Sequence, residues 1–595
     1  MLTDAMADAI RPVFDRDGRH LYFLASTNVG LASGWANTSA GLADPRYGMY
    51  VMVLRDGDAT PFPTKSDEEA APPPAKPDTS AVQVRIDLAG IDRRIVASPL
   101  PVRRYSDLQV GPRGTVFVTE RVENQPGVTL HKFTLSDGKT EVFTRGVTRV
   151  SVSNDGKKIM LLTGQQWTVT GTDALPQPGK GIVPVVLRMQ LDRQAEWTQI
   201  FDEVWHFEKD FFYDPNMHGN DWNAVRARYR PLVAWVRHPA DLAYIVDLVN
   251  GELSVGHSFV RAGDLPAVDT SRVGTLGADL VVDRGGWRIA RILTTESWNP
   301  GLGAPLDRPG LRVKAGQYLV GVNGRPLAAT DDPYRLLDGT AGRQTILHVN
   351  TRPTMDSAWT ITVTPGSDEN ALRTRAWVED NRRKVDSLSG GRLAYAWIPN
   401  TSAPGTNSFD RYVFAQQDRQ GAIIDERFNG GGSLDDYMVD HLTRTLRAGV
   451  TTSASSGPPL LLPQGVLGPK ALLVNELAGS GGDYFPWAFR QQNAGVIIGT
   501  RTWGGLVSAA SHYPMVNGLS VTAPVSRVFD AVNNTWIAEN EGVAPDIEVF
   551  MDEKSVAAGR DPQLERAVTE VLKAADAAGV RRIVPPAMTR PSRRP

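Results

Sequence analysis

The sequence predicts a multidomain α+β protein, and three observations support that fold class. The first third repeats a strand, a Gly-containing turn and a second strand; apolar residues then follow a helical spacing from Glu196; strands alternate with helices from Gly391 to Val549. Because hydrophobic periodicity separates strands from helices, these changes indicate separate domains. A chain of 595 residues is long enough for roughly three to five domains, each with its own core.

Composition excludes several classes of function. The formal net charge is -2, which gives no basic surface for nucleic acid and no polybasic patch for a membrane. The chain has no cysteine, so disulfides and thiolate chemistry are excluded. It contains no run of about 18 apolar residues, and residues 1–5 lack the features of a signal peptide. We expect a cytoplasmic protein without metal or cofactor, since no compact His-Glu-x-x-His-type cluster occurs.

Residues 1–190 predict a partial β-propeller. Gly114 and Gly156 have a spacing close to the ~40–45 residues of a blade repeat. The first interval is longer because it contains a stretch rich in Pro, Glu and Ala, 61–77, that we expect to be disordered. Three blades do not close a ring, so we expect the region to end a longer polypeptide's propeller or to be completed by another element. A β-sandwich is the alternative. The three strand-turn-strand segments are Pro12–Leu24, Leu108–Val118 and Val150–Leu162.

Residues 191–263 predict a helical domain. Two further helices are expected at Trp222–Trp235 and Leu242–Leu253, and His257 follows the second of them. A lone histidine after a helix is more often structural than catalytic, so a catalytic role for His257 depends on partner residues elsewhere in the chain. The apolar face of the first helix comprises Trp197, Ile200, Phe201, Val204, Phe207 and Phe211.

Residues 264–367 return to strands and resemble a PDZ domain. The segment Pro309–Pro326 combines a Gly-containing stretch, the apolar strand around Tyr318–Val322 and an Asn323-Gly324 turn. PDZ domains bind extended peptides by strand addition. A generic Asn-Gly hairpin is the alternative interpretation.

Residues 368–553 predict a βα-layered domain with two Gly-rich turns after buried strands. The strand Ala422–Asp425 leads to Gly430–Gly432, and the strand Ala471–Val474 leads to Ser480 between glycines at the start of a helix. A serine at a helix N-terminus, with free N–H groups around it, suits an acyl-transfer nucleophile. Two such turns could supply a two-part oxyanion hole. An ordinary flexible turn is the alternative, and 554–595 is expected to be a C-terminal helix and tail.

Several segments together resemble the tricorn protease family, and the predicted domain order matches it as well. The resemblance implies a ClpP/crotonase-like catalytic domain, and it implies that the chain corresponds to a C-terminal half with only the end of a second propeller. The matching segments are Asp425–Gly432, Ala478–Asp483, Gly499–Gly505, Glu539–Asp546 and Gly251–Val260.

The resemblance implies a role for each site residue. Ser480 would be the nucleophile and His257 its general base, while Glu539 would orient the imidazole. The amides of Gly432 and Gly481 would form the oxyanion hole. Glu541, two residues from Glu539, is the rival acid if the segment is extended.

The implied function is a serine endopeptidase that degrades peptides or unfolded polypeptides. The family resemblance further implies a homo-oligomer, a hexamer by analogy, and downstream aminopeptidases as partners. The runner-up is a catalytically silent scaffold that binds peptides through its propeller and PDZ regions. An acyl-CoA enzyme of the crotonase fold is a weaker alternative, because it would leave the PDZ-like region unexplained.

Three departures from related sequences limit the comparison. Related C-terminal processing peptidases use a Ser-Lys dyad, but the lysine position here is Gly505. In tricorn a serine precedes the histidine and assists the acid; here that position is Gly256, and Ser254 and Ser258 are the nearby hydroxyls. The family's acidic selector for basic side chains would fall near Val450, and 446–456 contains no acid. Cleavage after basic and after apolar residues therefore both stay open.

Overall fold

The computed structural model describes residues 7–26, 44–62, 82, 84–186, 188, 190–294, 296, 298–451, 459–579 and 583–587. The stretch predicted to be disordered, 61–77, lies outside the described residues from position 63 onward. The chain forms two compact units, Met1–Leu191 and Asp192–Pro595. Strands and helices occur together in the second unit and the first is built of sheets, so the prediction of a mixed α and β protein is confirmed.

The described residues of the first unit form three four-stranded antiparallel sheets in which the strands are ordered as in the chain. Each predicted strand-turn-strand segment is a hairpin within one of these sheets. The first sheet comprises β1 Asp8–Phe14, β2 His20–Ser26, β3 Gly48–Val53 and β4 Ile95–Ala97. The second comprises β5 Tyr105–Val110, β6 Thr115–Glu120, β7 Val128–Thr134 and β8 Lys139–Val147. The third comprises β9 Arg149–Val152, β10 Lys158–Thr163, β11 Gln166–Gly171 and β12 Ile182–Val183.

The turns of the three hairpins are joined by hydrogen bonds from the first turn. The buried carboxylate of Asp15 accepts the Gly114 N–H at 3.0 Å, and Arg16 Nε donates to the Gly111 carbonyl at 2.7 Å. Arg16 also donates to the Ser153 carbonyl, at 3.1 Å, in the third turn. The turns that looked alike in sequence therefore meet in space, because one Asp-Arg pair satisfies polar groups of all three.

The helical part of the second unit packs around one apolar core. Five of the six residues predicted for the first helix's apolar face are buried there, but Phe211 is 54% exposed. That part of the prediction is wrong because the helix ends at Phe211, and the extended residue that follows, Phe212, is buried in this core instead. The helices are α1 Arg193–Phe211, α2 Trp222–Tyr229 and α3 Pro239–Gly251, with a 3₁₀ turn at Arg230–Trp235.

A second β region follows the helices. After β13 Val260–Arg261, an antiparallel sheet runs β14-β15-β16-β18-β19, with β17 paired to β16. The predicted Asn323-Gly324 turn joins β16 to β17, and both residues have positive φ, 50° and 79°. The elements are β14 Ala278–Asp283, β15 Gly286–Ile292, β16 Tyr318–Val322, β17 Arg325–Pro326, α4 Pro333–Leu336, β18 Thr345–Asn350 and β19 Trp359–Val363.

The last region is a parallel sheet covered by helices. Its core lies between the sheet and the apolar faces of the surrounding helices, with Tyr395, Phe409, Phe485 and Phe489 fully buried. The sheet order is β20-β21-β24-β25-β30, formed by Leu393–Trp397, Gly421–Asp425, Lys470–Val474, Val496–Gly499 and Ile547–Glu548. The helices are α5 Asn370–Ser389, α6 Ala403–Ala415, α7 Asp435–Leu442, α8 Gly481–Gln491, α9 Glu553–Ala557 and α10 Pro562–Ala578.

Among the described residues, three antiparallel hairpins complete the second unit. The hairpin of β26 and β27 belongs to a separate sheet and not to the parallel one. The strand β27 pairs with β13 on one side and with β26 on the other, and Leu519, Val521 and Ala523 lie in the core of the helical part. Residues far apart in sequence thereby share one core. The strands are β22 Ala448–Val450, β23 Leu460–Leu462, β26 Val507–Ser511, β27 Ser520–Arg527, β28 Phe529–Asp530 and β29 Thr535–Trp536.

Candidate active site

Ser480 stands at the turn between β24 and α8, as the sequence predicted. Its backbone has φ 59° and ψ -116°, a conformation that costs a non-glycine residue free energy and persists only where the surroundings enforce it. Its N–H donates to Asp483 Oδ2 at 3.0 Å. The turn therefore presents the hydroxyl at the positive end of the helix dipole.

His257 follows α3 and faces Ser480. Its Nε2 lies 3.1 Å from Ser480 Oγ, across 223 residues of sequence. Its backbone also has positive φ, 61°. Thr522 on β27 fixes that backbone: the Thr522 hydroxyl donates to the His257 carbonyl at 2.6 Å and accepts the Phe259 N–H at 2.9 Å. The histidine that sequence alone could not separate from a structural one is thus paired with the candidate nucleophile.

Glu539 lies close to His257 but binds the backbone rather than the imidazole. Its carboxylate is 3% exposed; Oε1 accepts the Gly256 N–H at 2.7 Å and Oε2 accepts the Leu506 N–H at 2.5 Å. The buried His257 Nδ1 has no hydrogen-bond partner among the described residues. The expected contact between acid and imidazole is therefore replaced by a contact to the preceding peptide.

The rival acid, Glu541, does not share this environment. The segment is a turn in which Ala538 and Asn540 have positive φ, 58° and 64°, so the two acids do not lie on one strand face. Glu541 is exposed, and its carbonyl accepts from Arg501 at 3.0 Å. Of the two acids only Glu539 is buried, and Glu539 is the one to which the family resemblance assigns the role.

The two glycines predicted for an oxyanion hole lie next to each other beside Ser480. Neither Gly432 N–H nor Gly481 N–H donates a hydrogen bond within the described part of the chain. A Cβ on Gly481 would lie 2.8 Å from the Gly432 nitrogen, and one on Gly431 would lie 3.0 Å from Ser480 Oγ. Two unpaired amides next to a serine hydroxyl can stabilise a developing oxyanion.

Burial sets the protonation of the base. It lowers the pKa of His257, and the nearby Asp483 raises it by a smaller amount. A lowered imidazole pKa favours the neutral form, which can accept a proton. Burial also raises the pKa of Glu539, against the lowering effect of the Gly256 and Leu506 N–H donors.

Asp483 is the residue whose importance the sequence analysis missed. It is fully buried and accepts four hydrogen bonds, from the Ser480, Gly504 and Gly505 N–H groups and the Thr502 hydroxyl, at 2.5–3.0 Å. It therefore ties the nucleophile turn to the loop 502–505. An acid three residues after a serine at a helix start is a capping signal that could have identified it.

Two further acids are buried beneath the glycine loop. Glu426 is fully buried, and Asp435 is 4% exposed; burial raises the pKa of Asp435 to about 8 and raises that of Glu426 as well. Thr401, whose hydroxyl is beside Asp435, contacts Gly432 through an isolated β-bridge. Among the described residues no group of three or more His, Cys, Asp or Glu side chains is arranged to hold a metal ion.

Comparison with known proteins identifies three regions of the second unit. Residues 193–251 match the tricorn protease C1 domain, 274–368 the tricorn protease PDZ domain and 392–549 peptidase family S41. The second unit thus combines a tricorn-type PDZ domain with a domain of the class that peptidase family S41 defines.

The chain belongs to the tricorn protease family. It is 32% identical to tricorn protease homolog 1 of Streptomyces coelicolor, over 95% of this chain and 54% of that protein. It is 28% identical to a putative tricorn-like protease C-terminal subunit of Sulfurisphaera tokodaii, over 94% of this chain and 65% of that protein. The crystal structure of the tricorn protease superposes with a TM-score of 0.81 at 22% identity, covering 96% of this chain and 55% of that one.

The chain spans about half the length of most curated relatives that it matches. The structural match extends over both units, so the fold is shared along nearly the whole chain. Among the described residues, no helix has the length and apolar character needed to cross a membrane.

Proposed function

We propose that this chain is a serine endopeptidase that cleaves peptides or unfolded polypeptides. The observation that carries the proposal is the 3.1 Å contact between Ser480 Oγ and His257 Nε2 beside the two unpaired glycine amides. This combination of nucleophile, base and oxyanion donors is what acyl transfer requires. The family S41 match over 392–549 supports the same reaction class.

The proposed reaction proceeds through an acyl-enzyme. Ser480 Oγ attacks the scissile carbonyl while its proton passes to His257 Nε2, and the carbonyl oxygen becomes an oxyanion facing the amides of Gly432 and Gly481. The imidazolium then gives its proton to the leaving amine as the C–N bond breaks. A water molecule, deprotonated by the neutral imidazole, hydrolyses the ester and regenerates Ser480.

In this proposal Glu539 is a positioning residue rather than a direct partner of the imidazole. Its carboxylate binds the N–H of Gly256 and so fixes the peptide that leads into His257. It also binds the Leu506 N–H, which ties the His257 segment to the loop on the other side of the site. The charge that acts on the imidazole itself is that of Asp483, which opposes the lowering of the His257 pKa by burial.

The remaining predictions on architecture and partners stay proposals. The three linked sheets of the first unit support a partial propeller over 1–190, and the parallel sheet supports a ClpP/crotonase-like layer within 368–553. The helical domain at 191–263, the PDZ-like domain at 264–367 and the C-terminal 554–595 complete the proposed arrangement. By resemblance we propose a cytoplasmic hexamer that passes its peptides to aminopeptidases.

For substrate selection we propose an apolar rather than a basic preference. The sequence 446–456, where the family's acidic selector would fall, has no acid, while Phe259 and Trp503 beside His257 are 51% and 48% exposed. Exposed aromatic rings next to the base favour contact with apolar substrate side chains.

The experiment that tests the function compares Ser480→Ala with Ser387→Ala. Ser387 lies on the exposed face of α5 and serves as a matched control. We expect Ser480→Ala to abolish peptide turnover and labelling by a fluorophosphonate, while Ser387→Ala and the wild type keep both. Full turnover in Ser480→Ala would overturn the assignment, and absence of turnover and labelling in the wild type would favour the silent scaffold, which the comparisons do not support.

A further inference from the structure

The imidazole of His257 lacks the hydrogen bond that would normally fix its orientation. Its Nδ1 is buried without a partner among the described residues, and both oxygens of Glu539 are occupied by backbone N–H groups. A ring held only through Nε2 could rotate about its Cβ–Cγ bond. Some other contact must therefore keep Nε2 directed at Ser480.

Two aromatic rings flank the imidazole. The Trp503 ring lies 5.5 Å from it, centroid to centroid, with an interplanar angle of 40°, and Phe259 lies 5.7 Å away at 50°. Aromatic pairs at such separations are attractive beyond the burial of their area. Trp503 belongs to the segment that follows β25, whereas Phe259 is only two residues from His257 itself.

Three glycines line the Trp503 indole, and two of them, Gly479 and Gly505, leave space that the ring occupies. A Cβ on Gly505 would lie 2.2 Å from the ring, one on Gly479 would lie 2.4 Å from it, and one on Gly256 would lie 3.4 Å from it. None of the three has a φ in the left-handed region. Backbone conformation therefore does not require glycine at these positions. The volume of the indole requires it at Gly479 and Gly505, whereas the distance from Gly256 is an ordinary van der Waals contact.

The Trp503 backbone is tied to the nucleophile turn. Its N–H donates to the Ala478 carbonyl at 2.9 Å, and the residues around it, Thr502, Gly504 and Gly505, all donate to Asp483. The indole is thus supported by the same carboxylate that binds the Ser480 N–H. The Trp503 ring thus links the position of the His257 imidazole to that of the Ser480 turn.

We propose that Trp503 is the positioning residue that holds the His257 imidazole toward Ser480, in place of a carboxylate bond to Nδ1. This inference rests on the proposed peptidase function. It gives a role to a residue that the sequence analysis treated only as part of a motif, and it explains why glycines occupy positions 479 and 505 beside the ring.

The proposal predicts a change in the pH profile as well as in rate. The charged groups near the base are Asp483 on α8 and Glu539, with Arg527 and Tyr213 close to Glu539 and Glu208 beside Ser258. None of them is removed when the indole is truncated. Because burial lowers the pKa of His257, removing the indole admits water and raises that pKa, so the ascending limb of the pH–rate profile moves to higher pH.

The first test compares Trp503→Ala and Trp503→Phe with Trp235→Ala, an exposed tryptophan far from Ser480 in sequence (77% exposed). We expect Trp503→Ala to lower kcat on the order of 10- to 100-fold, with the ascending limb shifted upward, and Trp503→Phe to recover much of the rate. Trp235→Ala should behave as the wild type. Unchanged kcat and pH profile in Trp503→Ala, with an active wild type, would overturn the proposal while leaving the peptidase assignment intact.

A second test compares Gly505→Ala in the wild type and in a Trp503→Ala background, with Trp503→Leu as the background if Trp503→Ala does not fold. Gly505→Ala should lower kcat because its methyl group collides with the indole, but it should have little further effect in the Trp503→Ala background, where the collision is gone. The imidazole resonances of His257, followed by NMR titration, report its pKa in each variant without turnover. Additive losses from Gly505→Ala and Trp503→Ala, or an unshifted His257 pKa in the folded variants, would refute the positioning role.

Discussion

The turn that carries Ser480 and the segment that carries His257 are stabilised in opposite ways. The Ser480 turn lies between a buried strand and a helix, and one carboxylate, Asp483, accepts from both the turn and the loop beside it. The His257 segment depends on partners more than 260 residues away in sequence: Thr522 binds its carbonyl and Glu539 binds the N–H before it. One half of the site is encoded locally and the other by tertiary packing.

The same contrast holds for the buried carboxyl groups beneath the two halves. Asp483 receives four hydrogen bonds, whereas both oxygens of Glu208, on α1 beside Ser258, are buried without a hydrogen-bond partner among the described residues. A carboxylate rich in donors stabilises its surroundings, and one without donors costs free energy when it ionises. The comparison indicates that the nucleophile half is the more rigid one.

The largest effect is expected from Asp483→Asn. In either orientation the amide would direct its NH₂ group at two donors, of which at least one is a backbone N–H, and each unsatisfied buried group costs about 1–3 kcal/mol. We expect kcat to fall on the order of 100-fold or more with a clear drop in Tm. Glu476→Gln is the control, because this exposed acid lies in the same turn region and accepts one hydroxyl. Near-normal kcat in Asp483→Asn would contradict the rigidity assigned to this half.

Glu539→Gln tests the His257 half. Replacing one acceptor oxygen by an NH₂ group breaks the bond to either the Gly256 or the Leu506 N–H, so the backbone that leads into His257 loses part of its support. We expect kcat to fall about 10- to 100-fold, equivalent to about 1.4–3 kcal/mol, with KM little changed. Glu541→Gln should keep the wild-type rate; a greater loss there would show that the choice between the two acids is wrong.

A smaller effect is expected at Thr522. Thr522→Val keeps the shape but removes the hydroxyl that bridges the His257 carbonyl and the Phe259 N–H. The loss of two hydrogen bonds of roughly 1 kcal/mol each should lower kcat several-fold, and Thr522→Ser should restore it. If Val and Ser variants lose activity equally, packing of the methyl group rather than the hydroxyl positions the base.

Prediction from sequence succeeded where the signal is local. The hairpins of the first unit, the Asn323-Gly324 turn and the strand-to-helix turn at Ser480 were all predicted by short motifs, since turn residues determine backbone conformation nearby. The roles of His257 and Glu539 came from family resemblance alone. Their pairing with Ser480 depends on the fold of the whole second unit, which no local pattern encodes.

Other features lay beyond local prediction for the same reason. The hairpin of β26 and β27 packs into the helical core formed by α1 and α3, although it follows the nucleophile in sequence. The Glu539 contacts with Gly256 and Leu506 arise only once that packing is complete. Phe211 was assigned to the apolar face by periodicity, which cannot reveal where the helix ends.

The last prediction concerns stability, and it tests the contrast between the two buried carboxyl groups. Burial raises the pKa of Glu208 to about 8, whereas the unfolded chain would lose this proton near its ordinary value of about 4.3. The folded state therefore binds more protons than the unfolded state between these values. The free energy of unfolding therefore falls by about 1.4 kcal/mol for each unit by which the pH rises within that window.

Glu208→Gln removes the free-energy cost of a buried ionisable carboxyl group. The Tm of the variant should therefore exceed that of the wild type by a larger amount as the pH rises from 5 to 8. The difference in Tm should be small at pH 5. At this pH the wild-type carboxyl group is neutral in the folded state and mostly ionised in the unfolded state. Asp210→Asn, an exposed change on the same helix, should leave the difference constant with pH. A Glu208→Gln variant whose Tm parallels the wild type across this range would mean that the carboxyl is charged and satisfied by a group such as bound water. The His257 half would then be as well supported as the Ser480 half.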